Sequence, residues 1–449
     1  MSLPLVQEAL ARARRRGAAA ADALLVDEES REARVRGDEI DTVKQARSRR
    51  LGLRCFVRAP GGLRVALTST TDLAPAAVER LVDDTVELAG ATAPDPCAGL
   101  PDGGYAADAP ELALGAPADR TAPLEARIED ARRAEAAARA VDRRVVNSEG
   151  SESGSRFQRL AFANTDGFAA EYESASHQVF SMPVAAEDGA MQTDYWLSTA
   201  RTLAGLEDPA TVGRHAAERA LRRLGSRRVK TAQVPVVFEP MTARSLLGHL
   251  ASCVTGGALY RRTSFLAERM GEPIASELVT IVDDGRRPGG LGSRPFDGEG
   301  LPTRRTTLVE RGVLRSWLLD TYAARKLGLR STGSAARRAG GAPAASPSNL
   351  WLEPGASSLD EMIATTERGF LVTWLFGHGF NPVTGDFSRG AAGLWIEDGR
   401  VAFPVHEVTI AGHFGHMLAS IDAVGRELPW LGSVAAPALR VARMTVAGT

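Results

Sequence analysis

Apolar positions along the chain fall into two periods, and the switches between them mark its elements. Leu3, Val6, Leu10 and Ala13 recur at helical spacing and predict a helix over 3–17, with Gly17 as its stop. Residues 22–27 read as a strand, 29–36 and 49–58 alternate, and Pro60-Gly61-Gly62 punctuates a hairpin into 63–67. Val78, Leu81, Val82, Val86 and Leu88 predict a long helix over 74–90, with Ser69 to Asp72 offering N-cap groups.

Residues 91–122 have little periodicity and read as a surface excursion before a helix over 124–141. Alternating runs at 145–154, 156–164 and 168–182 predict a meander, with Asn164-Thr165-Asp166-Gly167 as a hairpin turn. In the last run Ser174, Ser176 and Gln178 share one face; His177 lies on the other with Glu173 and Ala175, its role open. His215 and Glu218 sit i, i+3 on a helix over 208–224 and predict a surface contact, since no third metal ligand is near.

From Gln233 the chain becomes strand-rich and punctuated by Gly and Pro. A boundary at 226–232 therefore predicts two domains, 1–228 and 229–449. The expected fold class is α+β: long helices layered on antiparallel strands first, then a β-rich domain with a barrel-like antiparallel sheet. A strand over 233–238 leads into a helix over 241–257, started near Pro240 and Thr242 and stopped by Gly256-Gly257. A strand over 279–284 precedes a loop presenting Asp297 and Glu299, too few oxygens for a calcium loop. Further on, 308–319 predicts a hairpin, Asp320 caps a helix to Lys326, and 331–348 reads as a long flexible loop. The strand over 370–376 delivers a polar turn carrying His378, Asn381, Asp386, Ser388 and Arg389. A strand over 405–410 and a helix over 412–420 bring His406, His413 and His416 together in sequence, but the break between the elements favours surface histidines over a zinc site.

Composition narrows the function classes. In 449 residues, 54 basic side chains nearly balance 55 acidic ones, so no overall field favours nucleic acid or an anionic membrane. No apolar run approaches the ~20 residues of a membrane span, and the start lacks the layout of a signal peptide. Cys55, Cys97 and Cys253 are scattered without C-x-x-C spacing, which predicts a reducing, cytoplasmic setting.

The 241–257 helix invites comparison with metallopeptidases. A hydrolytic zinc needs several neutral nitrogen or carboxylate ligands and a base for its water. His249 is flanked by leucines and no Asp or Glu lies between Met241 and Gly257, so a packed helix histidine is the expectation.

The same stretch, with Phe296 to Thr303, Ser348-Asn349-Leu350, Val383 to Gly390 and Glu407 to Gly412, resembles the TldD/PmbA family, in its PmbA (TldE) branch. The likeness covers nearly the whole chain. In the TldD branch the helix carries two zinc histidines and a glutamate; matched by position, the first His falls on Arg244, the Glu on Ser245 and the second His on His249. Residues 429–437 also lack the cysteine that completes zinc in that branch. The resemblance thus implies no catalytic residue and no metal in this chain, with zinc held by a TldD-like partner in a heterodimeric peptidase that trims small or unfolded peptides. It implies a peptide cleft lined by Arg261, Thr263, Asn349, His378, Asn381, Asp386 and Arg389, with His378 and His413 departing from residues more usual there. A stand-alone or homodimeric peptide-binding protein, or a peptidase using an unrecognised site, is the alternative.

Overall fold

Helix α1 (Ser2–Arg15) buries Val6, Ala9, Leu10 and Ala13, the stripe its spacing predicts. A computed structural model describes residues 2–108 and 110–448. After α1 come three antiparallel strands, β1 (Ala20–Arg36), β2 (Glu39–Ala59) and β3 (Gly62–Thr70). The short runs expected here are parts of longer strands. The β1–β2 ladder continues from Ala20 opposite Phe56 to Arg36 opposite Glu39, because backbone pairing continues through polar positions where one face meets water. Gly37, at φ 63°, supplies the left-handed turn between them.

Helix α2 (Pro75–Ala91) starts differently from expectation. Its N-cap is Ala74, with Pro75 in the first turn, while Ser69 and Thr70 stay in β3; Asp72 Oδ1 accepts from the Ala74 amide at 3.0 Å. After α3 (Leu124–Ala140), the expected three-run meander is two strands, β4 (Val145–Asn164) and β5 (Ala169–Glu187), joined by the predicted turn. Gly154 and Ser155 do not break β4, since they pair with Gln178 and His177 in unbroken register. Strands β6 (Ala190–Thr193) and β7 (Trp196–Ala200) both pair with β5, completing a sheet ordered β3-β2-β1-β4-β5-β6. Helix α4 (Pro209–Leu221) packs on α3 so closely that a Cβ on Gly213 would lie 2.0 Å from the Ala134 carbonyl oxygen.

The second half is built on a closed five-stranded barrel. Strand β8 (Ala232–Phe238) lies between 439–447 and 368–376; the latter pairs with 386–397, that with 400–413, and 400–413 returns to 439–447. One neighbour pair, 370–372 with 236–238, is parallel. A separate five-stranded sheet holds 281–284 and 350–352.

Helix α5 (Pro240–Cys253) ends earlier than expected, and Gly256-Gly257 open a new short helix, α6 (Gly256–Tyr260). Gly256 is required there by packing: a Cβ would sit 2.5 Å from that of Ala323. Residues 331–348 are not a free loop. They carry a two-stranded ladder, 335–336 with 344–345, and the Ala335 amide donates to Asp297 at 3.0 Å. His413 ends a strand, and only His416 lies on the following helix, Phe414–Ala419.

Candidate functional site

Helix α5 is fixed before any of its polar side chains is considered. Leu246, Leu247 and Leu250 are buried in one cluster with Val236, Phe370, Phe387, Trp395 and Ile410 of the barrel. Its start is pinned by Thr242 Oγ1, which donates to the Val372 carbonyl at 3.0 Å. Just before it, Glu239 accepts from Arg219 at 2.6 Å and Arg222 at 2.9 Å. The remaining face presents Arg244, Ser245, Gly248 and His249.

His249 lies among aromatic rings, with centroids of Phe380 at 4.6 Å, Phe387 at 6.0 Å and Phe414 at 6.1 Å. Its Nε2 is buried without a hydrogen-bond partner. Burial, reinforced by the nearby Arg389 charge, pushes its pKa down to about 4, so the ring is neutral at pH 7. Ser245 Oγ donates to the Thr242 carbonyl at 2.7 Å and lies 3.5 Å from Arg389 Nη1. Arg244 Nη1 donates to the Leu431 carbonyl at 3.2 Å. Arg244, Ser245 and Arg389 share a cavity of about 480 Å³ with Tyr195, Arg219, Thr373, Trp374 and 432–434.

The other expected cleft residues fall elsewhere. Arg261 stacks on Tyr260 and donates to its hydroxyl at 2.9 Å, beside a second cavity of about 540 Å³. That cavity lies between Arg54 and Phe56 of the first sheet and Asp320, Tyr322 and 342–345. Thr263 turns its hydroxyl back to the Ala258 carbonyl at 3.3 Å. Asn349 is fully buried and acts as a loop staple: its Nδ2 donates to the Asp284 carbonyl at 2.6 Å and to Ser293 at 2.8 Å, while Oδ1 accepts from the Gly292 amide. His378, Asn381 and Asp386 are exposed on the turn after 368–376. There Asn381 Oδ1 accepts from the Val383 amide and Asp386 from the Thr384 hydroxyl, holding the turn's shape.

Three further histidines have neighbours of their own. His413 Nε2 lies 3.0 Å from the Thr384 carbonyl. His215 stands edge-on to Trp196, and its carboxylate neighbour at 3.9 Å is Glu207 rather than Glu218. His177 is buried with Nδ1 2.8 Å from Ser155 Oγ, and its Nε2, without a hydrogen-bond partner, lies 3.3 Å from Asp119 of the 117–121 turn. Sequence patterning missed Tyr195, Arg219, Trp374 and Ser433 as walls of the α5 cavity. They come from four separate segments with no shared local motif.

The fold and this helix define a class of proteins. Models described as PmbA/TldA metallopeptidase domain 1, central domain and C-terminal domain match residues 21–89, 117–224 and 231–448. The chain is 39% identical over 387 residues to Metalloprotease PmbA of Escherichia coli O157:H7, spanning 86% of this chain and 83% of that protein. It is 32% identical over 412 residues to a Metalloprotease PmbA homolog of Haemophilus influenzae, covering 91% and 88%. A crystal structure from Bacteroides thetaiotaomicron, described as a candidate modulator of DNA gyrase, superposes with TM-score 0.89 at 28% identity over 99% of this chain and 98% of that one. TldE from Thermococcus kodakarensis has the same fold, with TM-score 0.89 at 24% identity over 99% and 100%. The chain belongs to the PmbA/TldD metallopeptidase family, in its PmbA/TldE branch.

A metallopeptidase family implies a metal, and the side chains on the open face of α5, Arg244, Ser245 and His249, do not make a ligand set for one. Among the described residues no three His, Cys, Asp or Glu side chains converge as ligands. On α5 the polar side chains on the same side of the helix as His249 are the Arg244 guanidinium and the Ser245 hydroxyl, and the unpartnered Nε2 of His249 lies among phenyl rings. Cys253 is no substitute, since burial pushes its thiol up to about 11.

Proposed function

We propose that this chain is the subunit of a TldD/TldE-type zinc peptidase that lacks a zinc site of its own and helps hold a peptide substrate. One observation carries this: the exposed face of α5 offers Arg244, Ser245 and an aromatic-caged, neutral His249, a set that cannot hold a hydrolytic zinc. Zinc, and the activation of water it supplies, then belong to a TldD-like partner. This chain's part is to bind and orient the peptide with the basic, hydroxyl-rich walls beside α5. The expected setting is cytoplasmic, with no nucleic-acid or membrane partner. No helix among the described residues is long and apolar enough to cross a membrane.

The test is zinc content and peptide hydrolysis of the purified chain, alone and mixed with a TldD-like protein from the same source. Chelator-sensitive cleavage only on mixing is the expected result. Stoichiometric zinc and cleavage by the chain alone would overturn the proposal and favour a self-sufficient homo-oligomer.

A further inference from the structure

We propose that the cavity beside α5 is a carboxylate-binding site, in which Arg244 and Arg389 together grip a free carboxylate of a bound peptide. The identity of the ligand as a peptide rests on the role proposed above; the preference for an anion rests on the cavity alone.

The walls include three arginines and several hydroxyls but no Asp or Glu. Arg219 is already satisfied, with Asp194 at 3.2 Å and Glu239 at 2.6 Å. Arg389 and Arg244 are not. Arg389 is half-buried; its Nε has no hydrogen-bond partner, and its contact with Ser245 Oγ is long at 3.5 Å. Burial with no opposing acid pulls its pKa below the usual guanidinium range. Arg244 makes one hydrogen bond, to the Leu431 carbonyl, leaving the rest of its fork free.

A guanidinium partly removed from water without an acid partner loses hydration and gains nothing in return. A carboxylate entering between the two forks supplies the missing acceptors, and Arg matches its planar geometry with paired N–H donors. The two arginines come from different elements, α5 and the 386–397 strand, and line the same cavity, where Arg389 Nη1 lies 3.5 Å from the hydroxyl of Ser245, the residue after Arg244. Trp374 gives the cavity an apolar wall for the side chain next to the carboxylate. The volume, about 480 Å³, suits a chain end better than a long extended segment.

The experiment is calorimetric titration of the full-length chain with N-acetyl-trialanine bearing a free C-terminal carboxylate, with its C-terminal amide, and with inorganic phosphate. The acid is expected to bind at least about tenfold more tightly than the amide and more tightly than phosphate. Arg389→Gln and Arg244→Gln are each expected to weaken the acid by roughly tenfold while leaving amide binding unchanged. Arg244 is partly exposed, so its variant keeps the test valid if Arg389→Gln lowers the melting temperature. Equal binding of acid and amide, tighter binding of phosphate, or wild-type affinity for the acid in a folded Arg244→Gln would overturn the proposal. Acid-selective binding without partner-dependent proteolysis would sink the peptidase role and leave this site standing; the reverse pattern would sink the site alone.

Discussion

Arg337 follows Asp22 by 315 positions, yet its buried guanidinium donates to the Asp22 carboxylate from the side opposite Arg54. Arg54 reaches the same carboxylate with Nε at 3.0 Å and Nη2 at 2.5 Å. Burial alone would raise the Asp22 carboxyl; the two guanidinium groups outweigh it and hold it below the usual range. The strand β1 of the first sheet is thereby tied to the 335–345 segment of the second half.

Replacing Asp22 by Asn strands two buried cations, so the variant is expected to lose about 3–5 kcal/mol of unfolding free energy in urea. A folded-state pKa below the unfolded one makes the contribution of Asp22 present above the unfolded pKa and lost as pH falls through the folded one. The deficit of Asp22→Asn should therefore shrink on acidification. The double variant with Arg337→Met should cost less than the two single changes added together.

His249 has the opposite arrangement, with no acid near it and a folded pKa of about 4 against an ordinary 6.5. The unfolded chain then binds the extra proton, so the contribution of His249 to stability should be constant above about pH 6.5 and decline between there and pH 4. Carbon-bound proton resonances of His249, assigned by comparison with His249→Gln, are expected to titrate near 4. A midpoint near 6.5 would mean that the ring is not caged as described.

Asp283 illustrates a buried acid lacking a direct cationic partner. Its Oδ1 accepts from the Ser348 amide at 2.6 Å, and burial pushes its pKa up to about 7. A raised folded pKa means that stability falls as pH climbs from the ordinary carboxylate range through 7. Asp283→Asn retains an acceptor for that amide and removes the charge, so its melting temperature relative to wild type should improve between pH 6 and 9.

Gly213 tests helix packing without any charge. A Cβ there would meet the Ala134 carbonyl at 2.0 Å, so Gly213→Ala should separate α3 from α4 and cost about 1–3 kcal/mol despite the better helix propensity of alanine. Thermal unfolding of the variant measures the balance.

Much of this protein is determined locally. Apolar spacing suffices for α1 and the body of α2, and turn chemistry for Pro60-Gly61 and Asn164 to Gly167, because each depends on neighbours within a few residues. The missing zinc-ligand pattern on α5 is equally local: three positions on one helix face are Arg244, Ser245 and His249 whatever surrounds them. Strand extent was not local, since the polar halves of β1 and β2 are strand only because each has a partner to pair with. The same holds for 331–348, whose Ser- and Gly-rich composition looks free but whose Arg337 and Ala335 are buried against Asp22 and Asp297. Only the tertiary structure decided that Asn349 is a staple, that Arg261 faces a different cavity, and that Arg244 and Arg389 stand together without an acid. Those outcomes turn on which distant carboxylates and carbonyls come within hydrogen-bond reach, a property of the folded chain that no spacing along it records.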